Sequence, residues 1–318
     1  MTARALITGV NGFVGQYLAE YLINLGYEVW GTTRQGCPNL VSDKGIRLLK
    51  SGLDNQDELI DLLNEIRPDE IYHLAGQSNV KESWSNKVTT LEANVVSTLT
   101  LLEAVLKSEI ANKVRVLTVG SSEEYGKVDG SLMPIKEDIQ LNPISPYGIS
   151  KASVSFYCKQ YYEVYGLKIV HARPFNHIGP KQRLGFVVAD FSQQIADIEF
   201  GRKDNILCVG NLESKRDFTD VRDIVRAYYL LLQQENIFGE IYNISSNKAV
   251  SIQEILDTLI SLSTKEIIVK RDESRMRPSD IPIYIGDNNK LKLATGWSPE
   301  IPLIQTLTDV MNSLRRND

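Results

Sequence analysis

The chain has 318 residues, 42% of them hydrophobic and 24% charged, and carries a net charge of −5 at neutral pH. That length buries a large core and fits two lobes in one soluble globular protein. The acidic balance, with no Lys/Arg cluster to neutralise phosphates, argues against general nucleic-acid binding, and no apolar run is long enough to span a bilayer.

The first predicted element is a strand over Arg4–Thr8, and it ends in Gly9, Gly12 and Gly15 at three-residue spacing. A helix over about Gly12–Leu25 follows, with Tyr17, Leu18, Tyr21, Leu22 and Leu25 on one face. A strand, a tight glycine turn and a helix N-terminus together bind a pyrophosphate, because glycines admit the anion close to the backbone and the helix dipole favours it. Further strands are predicted over Glu28–Thr32, Ile46–Lys50, Glu70–Leu74, Arg115–Ser121 and Lys168–Arg173. Helices fall between them, over Asn55–Ile66, Thr89–Lys107 and Ser150–Tyr165. This alternation predicts an α/β fold, a doubly wound parallel sheet of Rossmann type. Its strand ends would bring Gly9, Thr33, Asp54, Ala75 and Ser121 to one crevice.

After Phe175 the rhythm breaks into turn formers and irregular α+β elements. A helix near Val187–Phe200, a returning strand over Glu240–Ser245 and a capping box at Ser251-Ile252-Gln253-Glu254 are predicted. The expected division is a dinucleotide-binding domain over 1–175, to which 217–246 returns, and a smaller C-terminal α+β substrate lobe over 176–216 and 247–318. Cys37, Cys158 and Cys208 are odd in number and lack metal-ligand spacing. The expectation is free thiols in a reducing cytoplasm and no metal site, and a chain that enters its first strand at once leaves no room for a signal peptide.

Arg34 stands after the second strand, where binders of the unphosphorylated dinucleotide place an acid. A guanidinium suits a 2′-phosphate and favours NADP over NAD, although a solvated arginine fits the spacing nearly as well. Asp54 is placed to bond an adenine edge or, equally, to cap the helix that starts there. Tyr147 and Lys151 are four residues apart at a helix entry, so phenol and ammonium share a face. A neighbouring ammonium is expected to lower the phenol's pKa towards the working range. In Gly120-Ser121-Ser122-Glu123-Glu124-Tyr125-Gly126, the Ser121 hydroxyl can bond a substrate oxygen. Of the two acids there, Glu123 is the candidate base.

These motifs, with His73-Leu74-Ala75-Gly76 and Tyr147-xxx-Lys151, resemble the extended short-chain dehydrogenase/reductase family over essentially the whole chain. The resemblance implies NADP(H), or NAD(H), as cofactor. Tyr147 would act as acid/base, Lys151 would tune it and Ser121 would polarise the substrate oxygen. Backbone at Gly9, Gly12, Phe13, Val14 and Gly15 would meet the pyrophosphate, while Arg34, Leu53, Asp54, Leu74, Ala75, Ser78 and Val119 would line the cofactor path. Arg173-Pro174-Phe175-Asn176-His177-Ile178-Gly179-Pro180, the segment Gly210–Phe218 and Arg275-Met276-Arg277-Pro278-Ser279 resemble the GDP-sugar branch of the family. There Ser122, Asn176, Arg216 and Arg277 would hold the substrate, with an ion pair to Asp217 or Asp220 as the alternative for Arg216. His177 is expected to be a loop residue with a satisfied hydrogen bond. The activity implied is reduction of GDP-4-keto-6-deoxy-D-mannose at C4 to GDP-D-rhamnose. The alternatives are 4,6-dehydration of GDP-mannose, alone or together with the reduction, with Glu123 as base, and C4-epimeric reduction to GDP-6-deoxy-talose. The family's habit of pairing the Thr89–Lys107 and Tyr147–Lys151 helices implies a homodimer.

Overall fold

The computed structural model describes residues 2–33, 45–275 and 281–316. Strands β1 (Arg4–Thr8), β2 (Glu28–Thr33), β3 (Arg47–Lys50), β4 (Glu70–His73), β5 (Arg115–Val119) and β6 (Ile169–Pro174) open the chain. Between them lie helices α1 (Phe13–Asn24), α2 (Gln56–Ile66), α3 (Val80–Ser85), α4 (Lys87–Leu91), α5 (Ser97–Lys107) and α6 (Pro146–Tyr165). Next come β7 (Asn176–Ile178), α7 (Val187–Glu199), β8 (Ile206–Val209), β9 (Lys215–Arg216), β10 (Phe218–Asp220), α8 (Val221–Leu232) and β11 (Ile241–Ile244). The chain closes with β12 (Val250–Ser251), α9 (Ile252–Ser261), β13 (Ile268–Arg271), β14 (Ile283–Tyr284), α10 (Asn289–Thr295) and α11 (Leu303–Arg316).

Seven strands form one sheet in the order β11-β6-β5-β4-β1-β2-β3, and every neighbouring pair is parallel. The α/β Rossmann-type fold expected from the alternation of elements is therefore present. Buried apolar residues on both faces of β1 explain why it sits centrally. Ala5 and Ile7 pack with Leu18, Leu22, Ile224 and Leu231 of α1 and α8. Leu6 points to the other face, against Leu59, Leu63, Leu101 and Val105 of α2 and α5. A separate core joins α7, α9 and α11 through Ile195, Leu207, Ile255, Leu256, Leu307 and Met311. A fourth apolar cluster, Tyr125, Ile135, Phe175 and Tyr284, lies where the two sets of elements meet.

Two boundaries differ from the sequence reading in ways that matter for chemistry. The helix expected from Ser150 begins a turn earlier, at Pro146, because Ser145 caps it by accepting from Gly148 N at 3.0 Å and Pro146 is preorganised for the first position. Tyr147 is therefore inside the first turn of α6. The helix expected over Thr89–Lys107 starts at Lys87 and contains a π turn at Glu92–Val96, an irregularity that periodicity does not reveal.

Candidate active site

The glycine turn after β1 is dictated by close approach. Gly9 has φ +71, and a Cβ there would stand 2.9 Å from both Cα and N of Ala75, so only glycine lets the ends of β1 and β4 meet. At Gly15 a Cβ would lie 2.8 Å from Val10 Cα, which keeps α1 tight against the turn. Gly12 caps α1 without a side-chain hydrogen bond, and no acidic residue occupies the first turn. The positive end of the helix dipole thus has no carboxylate in its own first turn and no side-chain cap, and the cradle fits a pyrophosphate.

Beyond β5 the chain forms a short 3-10 turn over Ser122–Glu124, with Ser121 as its cap. Ser121 Oγ accepts from Glu123 N at 3.2 Å, and Ser121 N donates to Glu124 Oε1 at 2.9 Å, a capping box that the sequence reading missed. Helix α6 packs directly on this turn. A Cβ on Gly148 would lie 2.5 Å from the Glu123 carbonyl oxygen, so the neighbour of Tyr147 has to be small. Tyr147 is buried with 7% exposure. Burial pushes its phenol well above the usual value; a hydrogen bond with Ser121 lowers it in part, and the charges of Glu123 and Glu124 raise it. Lys151 donates to the Val119 carbonyl at 2.8 Å and lies 5.9 Å from the Tyr147 ring centroid. Burial brings Lys151 down to about 8, against the opposing charge of Glu124. The phenol is thus raised by its surroundings rather than lowered by Lys151 as expected.

The two adjacent acids have different fates. Glu123 is half-buried on the turn, and its charge reaches Tyr147 and Tyr284. Glu124 is fully buried and bonded to Arg173 Nε at 2.9 Å and His171 Nε2 at 3.1 Å. Burial pushes the Glu124 carboxyl up, but Arg173, His171 and the Ser121 N–H outweigh it and hold the pKa at about 2.

The other residues singled out by sequence sort as follows. Leu74 and Ala75 are half-buried at the end of β4, and Ser78 is exposed and accepts from Arg183 at 3.0 Å. Leu53 is half-buried and Asp54 exposed beside β3. Asp54 does not cap α2: Asn55 does, accepting from Asp57 N and Glu58 N. Ser122 is buried. Asn176 is exposed and donates to the Asp217 carbonyl at 3.2 Å. Arg216 donates to the carbonyls of Lys215 and Ile281 at 2.9 and 2.7 Å. Of the acids weighed as its partners, Asp217 is held by Ser246 and Asn247, and Asp220 by Arg222. His177 Nδ1 lies 3.1 Å from the Phe175 carbonyl oxygen, and its ring stacks on Phe13. Arg34 and Arg277 lie outside the described residues. Among the described residues, no group of His, Cys, Asp and Glu could hold a metal, and no helix is long and apolar enough to cross a membrane.

Sequence reasoning also overlooked Asn94. It sits in the π turn and is buried; its Oδ1 accepts from Gln77 N at 2.7 Å and its Nδ2 donates to Ser150 Oγ at 2.9 Å. Ser150 Oγ in turn donates to the Tyr147 carbonyl at 2.7 Å. Asn94 thereby ties the loop after β4 to the helix that carries Tyr147.

A parallel Rossmann sheet with a glycine turn at one strand end, and serine, tyrosine and lysine gathered at another, defines an enzyme of the extended short-chain dehydrogenase/reductase class. Such an enzyme is an NAD(P)H-dependent nucleotide-sugar oxidoreductase. The chain belongs to the GDP-mannose 4,6 dehydratase family, whose model matches residues 6–310. It is 34% identical to the GDP-6-deoxy-D-mannose reductase of Pseudomonas aeruginosa, over 98% of this chain and 97% of that protein. It is 30% identical to the GDP-mannose 4,6 dehydratase of Homo sapiens, over 97% of this chain and 90% of that protein. Among solved structures, RMD from Pseudomonas aeruginosa complexed with NADPH is 33% identical and aligns over the full length of both chains with a TM-score of 0.86.

Proposed function

We propose that the chain reduces GDP-4-keto-6-deoxy-D-mannose at C4 to GDP-D-rhamnose. The observation that carries this reading is the meeting of Ser121, Tyr147 and Lys151 beyond β5, at the same edge of the parallel sheet as the glycine turn after β1. The near end-to-end match with a reductase, 97% of its length, favours reduction over dehydration. Residues 176–216 and 247–318 form the substrate lobe, whose Asn176, Arg216 and Arg277, with Ser122 from the turn after β5, hold the nucleotide sugar, the guanidinium groups taking its diphosphate. Gly9 to Gly15 and Arg34 suit NADPH, with NADH as the alternative, and the cofactor when bound supplies the hydride.

The residues divide the remaining work. Tyr147 donates its proton to the C4 oxygen as negative charge develops there, and a phenol raised by burial is still protonated at neutral pH. Ser121 Oγ accepts from Glu123 N and shares a hydrogen bond with Tyr147, so the two hydroxyls converge on the same oxygen. Donors aimed at charge that appears only in the transition state accelerate the step. The Lys151 ammonium, fixed on the Val119 carbonyl, stands by to return a proton to Tyr147.

Glu123 supports a second reading, dehydration of GDP-mannose, because a half-buried carboxylate beside Tyr147 can remove the C5 proton. A paired assay separates the two. One reaction holds GDP-mannose alone and the other the 4-keto-6-deoxy sugar nucleotide with NADPH, and NMR identifies the products. Stoichiometric NADPH oxidation in the second reaction only is the expected result, with C4 couplings of rhamnose rather than talose. Conversion of GDP-mannose without net NADPH use would establish the dehydratase. Glu123→Gln is expected to leave reductase kcat within about threefold, whereas a general base would cost on the order of 100-fold or more.

A homodimer completes the proposal. The run α4 to α5 exposes Val88 at 68%, with Leu91 and Val96, beside Ile149 and Phe156 of α6, the latter at 65%. A contiguous apolar stripe on two adjacent helices favours burial against a second copy. Phe156→Glu is expected to give a monomer by light scattering, and an unchanged dimer mass would refute this interface.

A further inference from the structure

The 3-10 turn at Ser122–Glu124 is held at both ends. Glu124 anchors its start from inside the sheet, through Ser121 N, Arg173 and His171. Tyr284, 162 residues away from Ser122 in sequence, spans the turn: its hydroxyl is 3.0 Å from the carbonyl oxygen of Ser122, the first residue of the turn, and 3.1 Å from that of Gly126, past its last. Tyr284 belongs to β14, which runs parallel to β9 and sets it in register with Arg216. Asp217 N donates to the Tyr284 carbonyl at 3.1 Å, and the ring packs beside Phe175.

The Ser122 carbonyl and the Glu123 N–H are two ends of one peptide unit, and that N–H is the group that donates to Ser121 Oγ. Because the unit is planar, its carbonyl cannot turn without moving the N–H. The Tyr284 hydroxyl, shared with the Gly126 carbonyl, and the Tyr125 N–H, which donates to the Ser122 carbonyl at 3.0 Å, together hold one end of a rigid plate whose other end orients Ser121. Hydrogen bonds in series also polarise one another, which strengthens the contact to Oγ. Burial raises the Tyr284 phenol, so it stays a donor.

We propose that Tyr284 is a positioning residue for Ser121, acting through the Ser122–Glu123 peptide and coupling the β9–β14 strand pair beside Arg216 to the reacting hydroxyls. The inference rests on the roles proposed above for Ser121 and Tyr147. Those roles assign nothing to Tyr284.

Tyr284→Phe keeps the ring and removes only the hydroxyl. It is expected to speed hydrogen exchange across 121–126 about tenfold with no substrate present. Single-turnover NADPH oxidation should slow by a similar factor while NADPH affinity is unchanged. In a Ser121→Ala background, followed over hours to read its slower rate, the same substitution should cause no further loss. Equal losses in both backgrounds would mean a purely structural tyrosine and overturn the inference, as would unchanged exchange. Full turnover by Tyr147→Phe would overturn the underlying reading instead, and the exchange result would still decide the Tyr284 contact.

Discussion

Tyr147→Phe is expected to lower kcat by about 100- to 10,000-fold while leaving NADPH affinity and melting temperature close to those of the parent enzyme. The ring is buried at the first turn of α6, and phenylalanine fills the same space, so the loss is confined to the hydroxyl. That hydroxyl is the proposed acid beside Ser121, and burial keeps its proton in place at neutral pH. Steady-state NADPH oxidation gives the rate, and fluorescence titration gives cofactor affinity. Turnover at the parental rate would remove Tyr147 from the chemistry. The rate of the parent enzyme is also expected to fall above about pH 8, where Lys151 loses the proton it would return. The direction follows from a lysine lowered from its ordinary 10.5: the useful ammonium is present below the shifted value and lost above it.

Glu124→Ala is expected to destabilise the protein by about 3–5 kcal/mol at neutral pH, measured by urea unfolding. The substitution leaves the Arg173 guanidinium, itself 1% exposed, without the carboxylate that compensates it. It also opens the capping box that holds Ser121 N. The adjacent Glu123→Gln should change stability by no more than about 0.5 kcal/mol, because that side chain is half-buried on the turn. The pH dependence has a definite sign. The Glu124 carboxyl titrates at about 2 in the fold against an ordinary 4.5, so its contribution is complete above pH 4.5 and disappears as the pH falls from there to about 2. In Glu124→Gln the acid limb of the stability profile should flatten across that window. An unaltered limb would mean the carboxylate is not the stabilising partner.

Much of the architecture follows from local pattern. Alternating strand and helix periods, with glycines at 9, 12 and 15, were enough to predict the parallel sheet, because period and turn chemistry are set by sterics over a few residues. The four-residue step from Tyr147 to Lys151 placed both on one helix face for the same reason. Local competition between neighbours was harder to judge. Asp54 and Asn55 are both good caps, and only the path of the chain into α2 selects Asn55. The entry of α6 at Pro146 was legible in Ser145-Pro146 as a cap followed by a first-turn proline.

The sequence by itself determined the fold class, and it was enough to propose the glycine turn and the serine, tyrosine and lysine set, since each is written in residues close together along the chain. Tertiary structure alone decided which buried polar groups meet. Glu124 finds His171 and Arg173 because β6 lies next to β5 in the sheet. Asn94 reaches Ser150 because a π turn rotates it towards α6. Tyr284 reaches Ser122 because β14 passes beneath the turn after β5. A buried charge or hydroxyl must find a partner to offset its desolvation, but which partner depends on strand order and element packing, and hydrophobic periodicity carries no record of either.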